Sequence, residues 1–167
     1  NNIFYKGFDF SNTLKNLISF FSKKNFKIYF KNHPNAPYDT KYFETYDNFF
    51  ITDRSINELE FLPDYILSFL SSSLLEATSK KIKTIMYVPN ELIENSKING
   101  YDYNDMYINY RDSEPILKKY CAWAKNLNDI DKIISNKNLF FELGINFSKK
   151  FISSQSTKRF IKILRMI

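Results

Sequence analysis

A chain of 167 residues has the length of one ordinary domain and can bury a single core. With 44% hydrophobic residues, three glycines and five prolines, its composition excludes a disordered tail. Its 24 Lys and Arg residues against 18 Asp and Glu give a net charge of +6, which reads as a solvated basic surface or as attraction for an anionic donor or anionic lipid. The basic residues are spread along the chain without the aromatic-basic pattern of an RNA-binding sheet, so nucleic acid is not expected as a partner.

In chain order, Ile3-Phe4-Tyr5 reads as a short strand. Leu14, Leu17, Ile18 and Phe21 then recur at helical spacing, which predicts a helix with Ser11 as N-cap and Asn25 as its stop. A strand at Lys27 to Lys31 follows, completing a parallel strand-helix-strand unit. Asn32 to Asp47, containing Pro34 and Pro37, reads as loop. Asn48 to Ile51, Tyr65 to Leu70 and Thr84 to Val88 are predicted as further strands, their continuous apolar runs suiting a sheet covered by helices on both faces. Between the last two, Ser73-Leu74-Leu75-Glu76 matches a capping box, in which serine and glutamate satisfy each other's free amides.

Asn90 to Asp112 is polar and tyrosine-rich and reads as a long loop. Two helices are expected after it, one opened by Ser113-Glu114-Pro115 and one capped by Asn128 and carrying Ile130, Ile133 and Ile134. Cys121, the only cysteine, falls at helical spacing from Ile116, Leu117 and Tyr120; it is read as a buried thiol, not a nucleophile, and it excludes an internal disulfide framework. From Ser156 to Ile167 the apolar residues Phe160, Ile161, Leu164 and Ile167 lie near one face, with Lys158, Arg159, Lys162 and Arg165 elsewhere. That segment reads as a terminal helix packed on its own domain, or as a basic amphipathic helix in peripheral contact with a membrane. No apolar run approaches the roughly 20 residues of a membrane-spanning helix. The expected fold class is α/β, a Rossmann-like parallel sheet flanked by helices, in a single domain over residues 1–167.

His33 is the only histidine and stands three residues after the run Phe26 to Phe30. Pro34 pushes it to an extended conformation and holds the imidazole in a turn at a strand end. With no second histidine and one distant cysteine a His/Cys zinc site is excluded. A hydrogen-bonding loop residue remains, or a donor to a phosphate that can also give it a proton. Ser71-Ser72-Ser73 follows Tyr65 to Leu70 and opens the expected helix. Ser73 is assigned as the cap; Ser71 and Ser72 are either turn residues or hydroxyls that hold an anion beside the free amides of a helix start.

If both runs are parallel strands of one sheet, His33 and the serines share a carboxyl-terminal rim, where open α/β sheets bind ligands, and a phosphorylated compound suits them. Glu58 and Glu60 would point in different directions on a short helix. A lone carboxylate on a ribose hydroxyl is the more economical reading, solvated surface glutamates the other. Asp53, Asp64 and Asp102 have no partner that singles them out as bases. No Gly-x-Gly-x-x-Gly, phosphate-binding loop, Gly-x-Ser-x-Gly elbow or histidine pair occurs, so dehydrogenase, kinase, hydrolase and zinc-enzyme readings lose their usual support.

In their order these residues resemble the nucleotide-binding half of bacterial sialyltransferases with the two-Rossmann-domain (GT-B) architecture. Lys31-x-His33-Pro34 looks like the family's His-Pro motif, Glu58 like the glutamate that holds the donor ribose, and Leu62-Pro63-Asp64 leading through a strand into Ser71-Ser72 like its serine motif. The similarity spans Lys27 to Val88, and the capsule polyol-phosphate transferases carry a comparable His-Pro and serine pair. The resemblance implies the C-terminal, donor-binding half of a GT-B enzyme and a metal-independent, inverting transfer of sialic acid from CMP-sialic acid to a glycan hydroxyl of capsule or lipooligosaccharide, with no cofactor. His33 would be catalytic and protonate the departing phosphate, Ser71 and Ser72 would hold that phosphate and Glu58 the ribose, with Lys31, Pro34 and Ser73 completing the substrate-binding set.

The family's acidic Asp/Glu-Asp/Glu-Gly triplet, source of its general base, has no counterpart: Gly7, Gly100 and Gly144 follow Lys6, Asn99 and Leu143. The chain begins Asn1-Asn2-Ile3 and is expected to be a donor domain within a longer protein, meeting its glycan acceptor through another domain. The expected location is the bacterial cytoplasm, peripheral to the inner face of the membrane. Transfer of another CDP- or CMP-linked donor, and a noncatalytic Rossmann-like binding module, are the alternatives these residues leave open.

Overall fold

The computed structural model describes residues 8–32, 38–69, 73–98, 121–136, 138–140 and 143. It is α/β, with small parallel sheets flanked by helices, and the chain divides into two compact units, Asn1–Phe61 and Leu62–Ile167. The expected strand at Ile3, the helix opened by Ser113 and the segment from Ser156 lie outside the described residues.

In the first unit, α1 (Phe10–Lys23) buries Thr13, Leu17 and Ile18. Its N-cap is Asp9, not Ser11: the Asp9 carboxylate accepts the Asn12 N–H at 3.0 Å, and a carboxylate also meets the positive end of the helix dipole. The stop falls at Asn25 as expected. Asn25 adopts φ 58°, a left-handed conformation that asparagine tolerates. The Phe26 N–H then reaches the Phe21 carbonyl (3.1 Å), the Asn25 N–H reaches that of Ser22 (2.9 Å), and the Phe21 and Phe26 rings meet edge to face.

Two short strands follow, β1 (Ile28–Phe30) and β2 (Phe49–Ile51), paired in parallel with Tyr29 opposite Phe50. Between them the stretch read as loop includes a 3-10 turn, Lys41–Thr45, whose Phe43 completes a small core with Ile18 and Phe49. Leu14, Ile28, Phe30 and Tyr46 pack around it. Asn48 ties this unit together, donating to the Phe26 carbonyl at 2.7 Å and accepting from the Ser22 hydroxyl at 3.0 Å.

The second unit is built on β3 (Tyr65–Ser68), β4 (Lys83–Tyr87) and β5 (Ala122–Ala124), in the order β3-β4-β5 and all parallel. β4 is central, and Ile85, Met86, Tyr87 and the following Val88 are buried, as expected of a strand covered on both faces. The helices α2 (Ser73–Ser79), α3 (Asn90–Ile98) and α4 (Leu127–Ser135) accompany the sheet. α2 ends as α1 does, with Lys81 at φ 62° and the Ile82 N–H on the Ala77 carbonyl. Thr78, donating to the Leu74 carbonyl at 2.8 Å, meets the buried Thr84 hydroxyl at 3.1 Å.

Four expectations are corrected. The described strands form two sheets, not one: β1 pairs with β2, and β4 pairs with β3 and β5. Asn90–Ile98, read as loop, is helix α3; the Pro89 carbonyl accepts the Leu92 and Ile93 N–H groups, and both side chains are buried. α4 is capped by Asn126, not Asn128: its side chain accepts the Asp129 N–H at 2.8 Å while Asp129 takes the Lys125 N–H at 3.0 Å. Cys121 is buried as expected, but it leads into strand β5. Burial pushes its thiol up, with the Thr84 and Thr78 hydroxyls opposing. Among the described residues no helix is long and apolar enough to cross a membrane.

A left-handed lysine at a helix end costs free energy that glycine avoids. Lys81→Gly is therefore expected to raise the unfolding free energy by about 0.5–1 kcal/mol in a urea melt. A loss of stability would show that the Lys81 side chain holds this turn.

Candidate functional site

β1 ends at Phe30, whose carbonyl accepts the Thr52 N–H at 2.9 Å, and Lys31 follows it exposed to solvent. Beyond β2 the chain folds into a turn built on Ser55 and Glu58: the Glu58 N–H donates to the Ser55 carbonyl (3.0 Å) and the Ser55 N–H to Glu58 Oε2 (2.6 Å). Glu58 is exposed, yet that N–H, and after it the Ser55 side chain, hold its carboxyl below the usual glutamate range. Lys31 and Arg54 act in the same direction. Lys31, just past the end of β1, thus lies near enough for its charge to act on Glu58 without forming an ion pair with it.

Glu60 has a different partner. Its carboxylate pairs with the Arg54 guanidinium, which lowers the Glu60 pKa and raises that of Arg54. Glu58 and Glu60 therefore do not assemble as an acid-base pair. Asp53 and Asp64 are exposed, and Asp102 lies outside the described residues.

In the second unit α2 begins at Ser73, the residue expected to open it. His33, Pro34, Ser71 and Ser72 lie outside the described residues. In sequence, His33 and Pro34 follow the end of β1, and Ser71 and Ser72 fill the link from Phe69 to α2. The helices α2, α3 and α4 carry Glu76, Glu91 and Asp129 in their first turns. An anion at the start of α2 would therefore depend on hydroxyls and amides more than on helix dipole. At the end of β4 the Tyr87 ring lies 5.6 Å from Phe69, and burial, with Glu91 and Asp129 nearby, pushes its hydroxyl pKa up to about 12.

Sequence reasoning missed the aromatic face of the first unit. Tyr29 stacks on Phe50 at 5.1 Å and packs against Phe61 at 4.6 Å, and all three are exposed. Alternation along Ile28-Tyr29-Phe30 could have found Tyr29, but an all-apolar run conceals which face stays bare. Among the described residues no group of three or more His, Cys, Asp or Glu is placed to hold a metal ion. No family model matches the chain, and neither a curated protein nor a solved structure shows significant similarity to it.

The lowered Glu58 pKa fixes a sign. A carboxyl with a depressed folded pKa contributes stability above the pKa of an unfolded glutamate and loses it as pH falls through the folded value. In a carboxyl NMR titration Glu58 is expected to have its midpoint below that of an unperturbed glutamate. Lys31→Met should move the midpoint upward, by less at high salt. An unchanged midpoint in that variant would remove Lys31 from the neighbourhood of Glu58.

Proposed function

We propose that this chain is the donor-nucleotide half of a two-domain GT-B glycosyltransferase, transferring sialic acid from CMP-sialic acid to a surface glycan with inversion and without a metal. One observation carries the reading: the motif residues Lys31-x-His33-Pro34 and Ser71-Ser72 each follow the carboxyl end of a parallel strand, β1 and β3. Ligands of parallel α/β sheets gather at such ends. Lys31, whose charge helps lower the Glu58 pKa, supports it, because a cation and an exposed carboxylate suit the phosphate and the ribose diol of one nucleotide.

In this reading the acceptor hydroxyl oxygen attacks the anomeric carbon as the bond to the CMP phosphate oxygen breaks. His33 donates a hydrogen bond to that phosphate and gives it a proton late in bond breaking. Ser71 and Ser72 hold the phosphate, and Glu58 accepts from the ribose hydroxyls. The acceptor's proton goes to a base supplied by the acceptor-side domain. Donors fixed where charge develops on a leaving group contribute most to the rate.

Titration calorimetry of the chain with CMP, with and without EDTA, is expected to show weak binding that EDTA leaves unchanged. Absence of binding at millimolar CMP, or binding that needs a divalent metal, would overturn the reading. In the longer protein, His33→Ala is expected to lower kcat by on the order of 10²–10⁴ while the fold persists. A folded variant with normal turnover would remove His33 from the chemistry.

A further inference from the structure

One face of the β1–β2 sheet packs into the core of Ile18, Phe43 and Phe49, while the other leaves three rings in solvent. Tyr29 and Phe50 face each other across the ladder, their rings 5.1 Å apart and inclined at 23°, and Phe61 leans on Tyr29 at 4.6 Å and 46°. Each ring stays 40–43% exposed although parallel strands are ordinarily covered on both faces. The shape of the cluster selects what could cover it. Rings standing against one another offer solvent their edges and the terminal faces of the row. The group that extends such a row is a further planar ring. A pyranose, by contrast, needs an aromatic face lying flat and open.

In sequence Glu58 stands three residues before Phe61, and Lys31 two residues beyond Tyr29, just past the end of β1. Lys31 is also close enough to Glu58 to stabilise its carboxylate. The unit thus carries a cation, a carboxylate and an aromatic row, the three chemistries that the phosphate, ribose and base of a nucleoside monophosphate call for. All these residues belong to the unit Asn1–Phe61.

We infer that the Tyr29–Phe50–Phe61 row receives the pyrimidine base of the donor nucleotide, with Glu58 on the ribose hydroxyls and Lys31 toward the phosphate. The inference rests on the nucleotide reading above. The experiment follows the aromatic proton resonances of the whole chain during titration with CMP, cytidine, ribose 5-phosphate and a methyl sialoside, in the wild type and in Phe61→Ala. CMP and cytidine are expected to shift the Tyr29, Phe50 and Phe61 rings. Phe61→Ala should weaken both by about 5- to 150-fold, the range for one base stacked on one aromatic ring, and leave ribose 5-phosphate unchanged.

If CMP binds with these rings unmoved, or Phe61→Ala weakens ribose 5-phosphate as much as CMP, the inference fails and the nucleotide reading stands. If cytidine moves the rings while CMP does not bind, the aromatic site stands and the donor reading falls. A sialoside that moves the rings in preference to cytidine overturns the base assignment. Silence of every probe overturns both.

Discussion

Because β3, β4 and β5 run parallel, the chain must return across the sheet after each strand, through α2 after β3 and through the stretch containing α3 after β4. The returns leave β4 buried between its neighbours, where a side chain such as Ile85 or Met86 contributes roughly 1.5–3 kcal/mol by leaving water. They also decide which residues meet at each sheet edge. The residues after β3, β4 and β5 share the carboxyl-terminal edge of one sheet, and those after β1 and β2 share that of the other. Phe69, Pro89 and Lys125 occupy the first edge, Lys31 and Thr52 the second.

The same constraint explains which elements could be read from residues alone. The apolar face of α1, its stop at Asn25 and the four strands from Ile28 onward were legible, because burial demands periodicity and a left-handed helix end favours asparagine. α3 was not: within Asn90–Ile98 its buried pair Leu92-Ile93 is flanked by polar residues, and the Leu92 and Ile93 amides are met by the Pro89 carbonyl. β5 was not either. Ala122-Trp123-Ala124 has little strand propensity, and only the register against Ile85, Met86 and Tyr87 makes it a strand. Asp9 and Asn126 took the capping positions from Ser11 and Asn128 by fitting the first free amides, which depends on where the backbone turns.

At the candidate site the sequence singled out Glu58 but could not say what holds it. Ser55, which pins the carboxylate through its backbone N–H, and Lys31, whose charge acts on it from beyond the end of β1, are matters of folded geometry. Glu60 was a rival only in sequence, since Arg54 claims its carboxylate. The aromatic row was concealed for a related reason. Tyr29 and Phe50 look like core residues in an apolar run, and their exposure follows from the core forming on the α1 side alone.

The central proposal is that a nucleotide is met by residues that follow the carboxyl end of β1. Backbone amide shift mapping of the isotope-labelled chain with CMP tests it most directly. The account predicts the largest changes at Lys31 to His33 and at Ser55 to Glu58. Changes confined to the opposite strand ends, around Ile28, Phe49 and Lys83, with those amides unmoved, would contradict it.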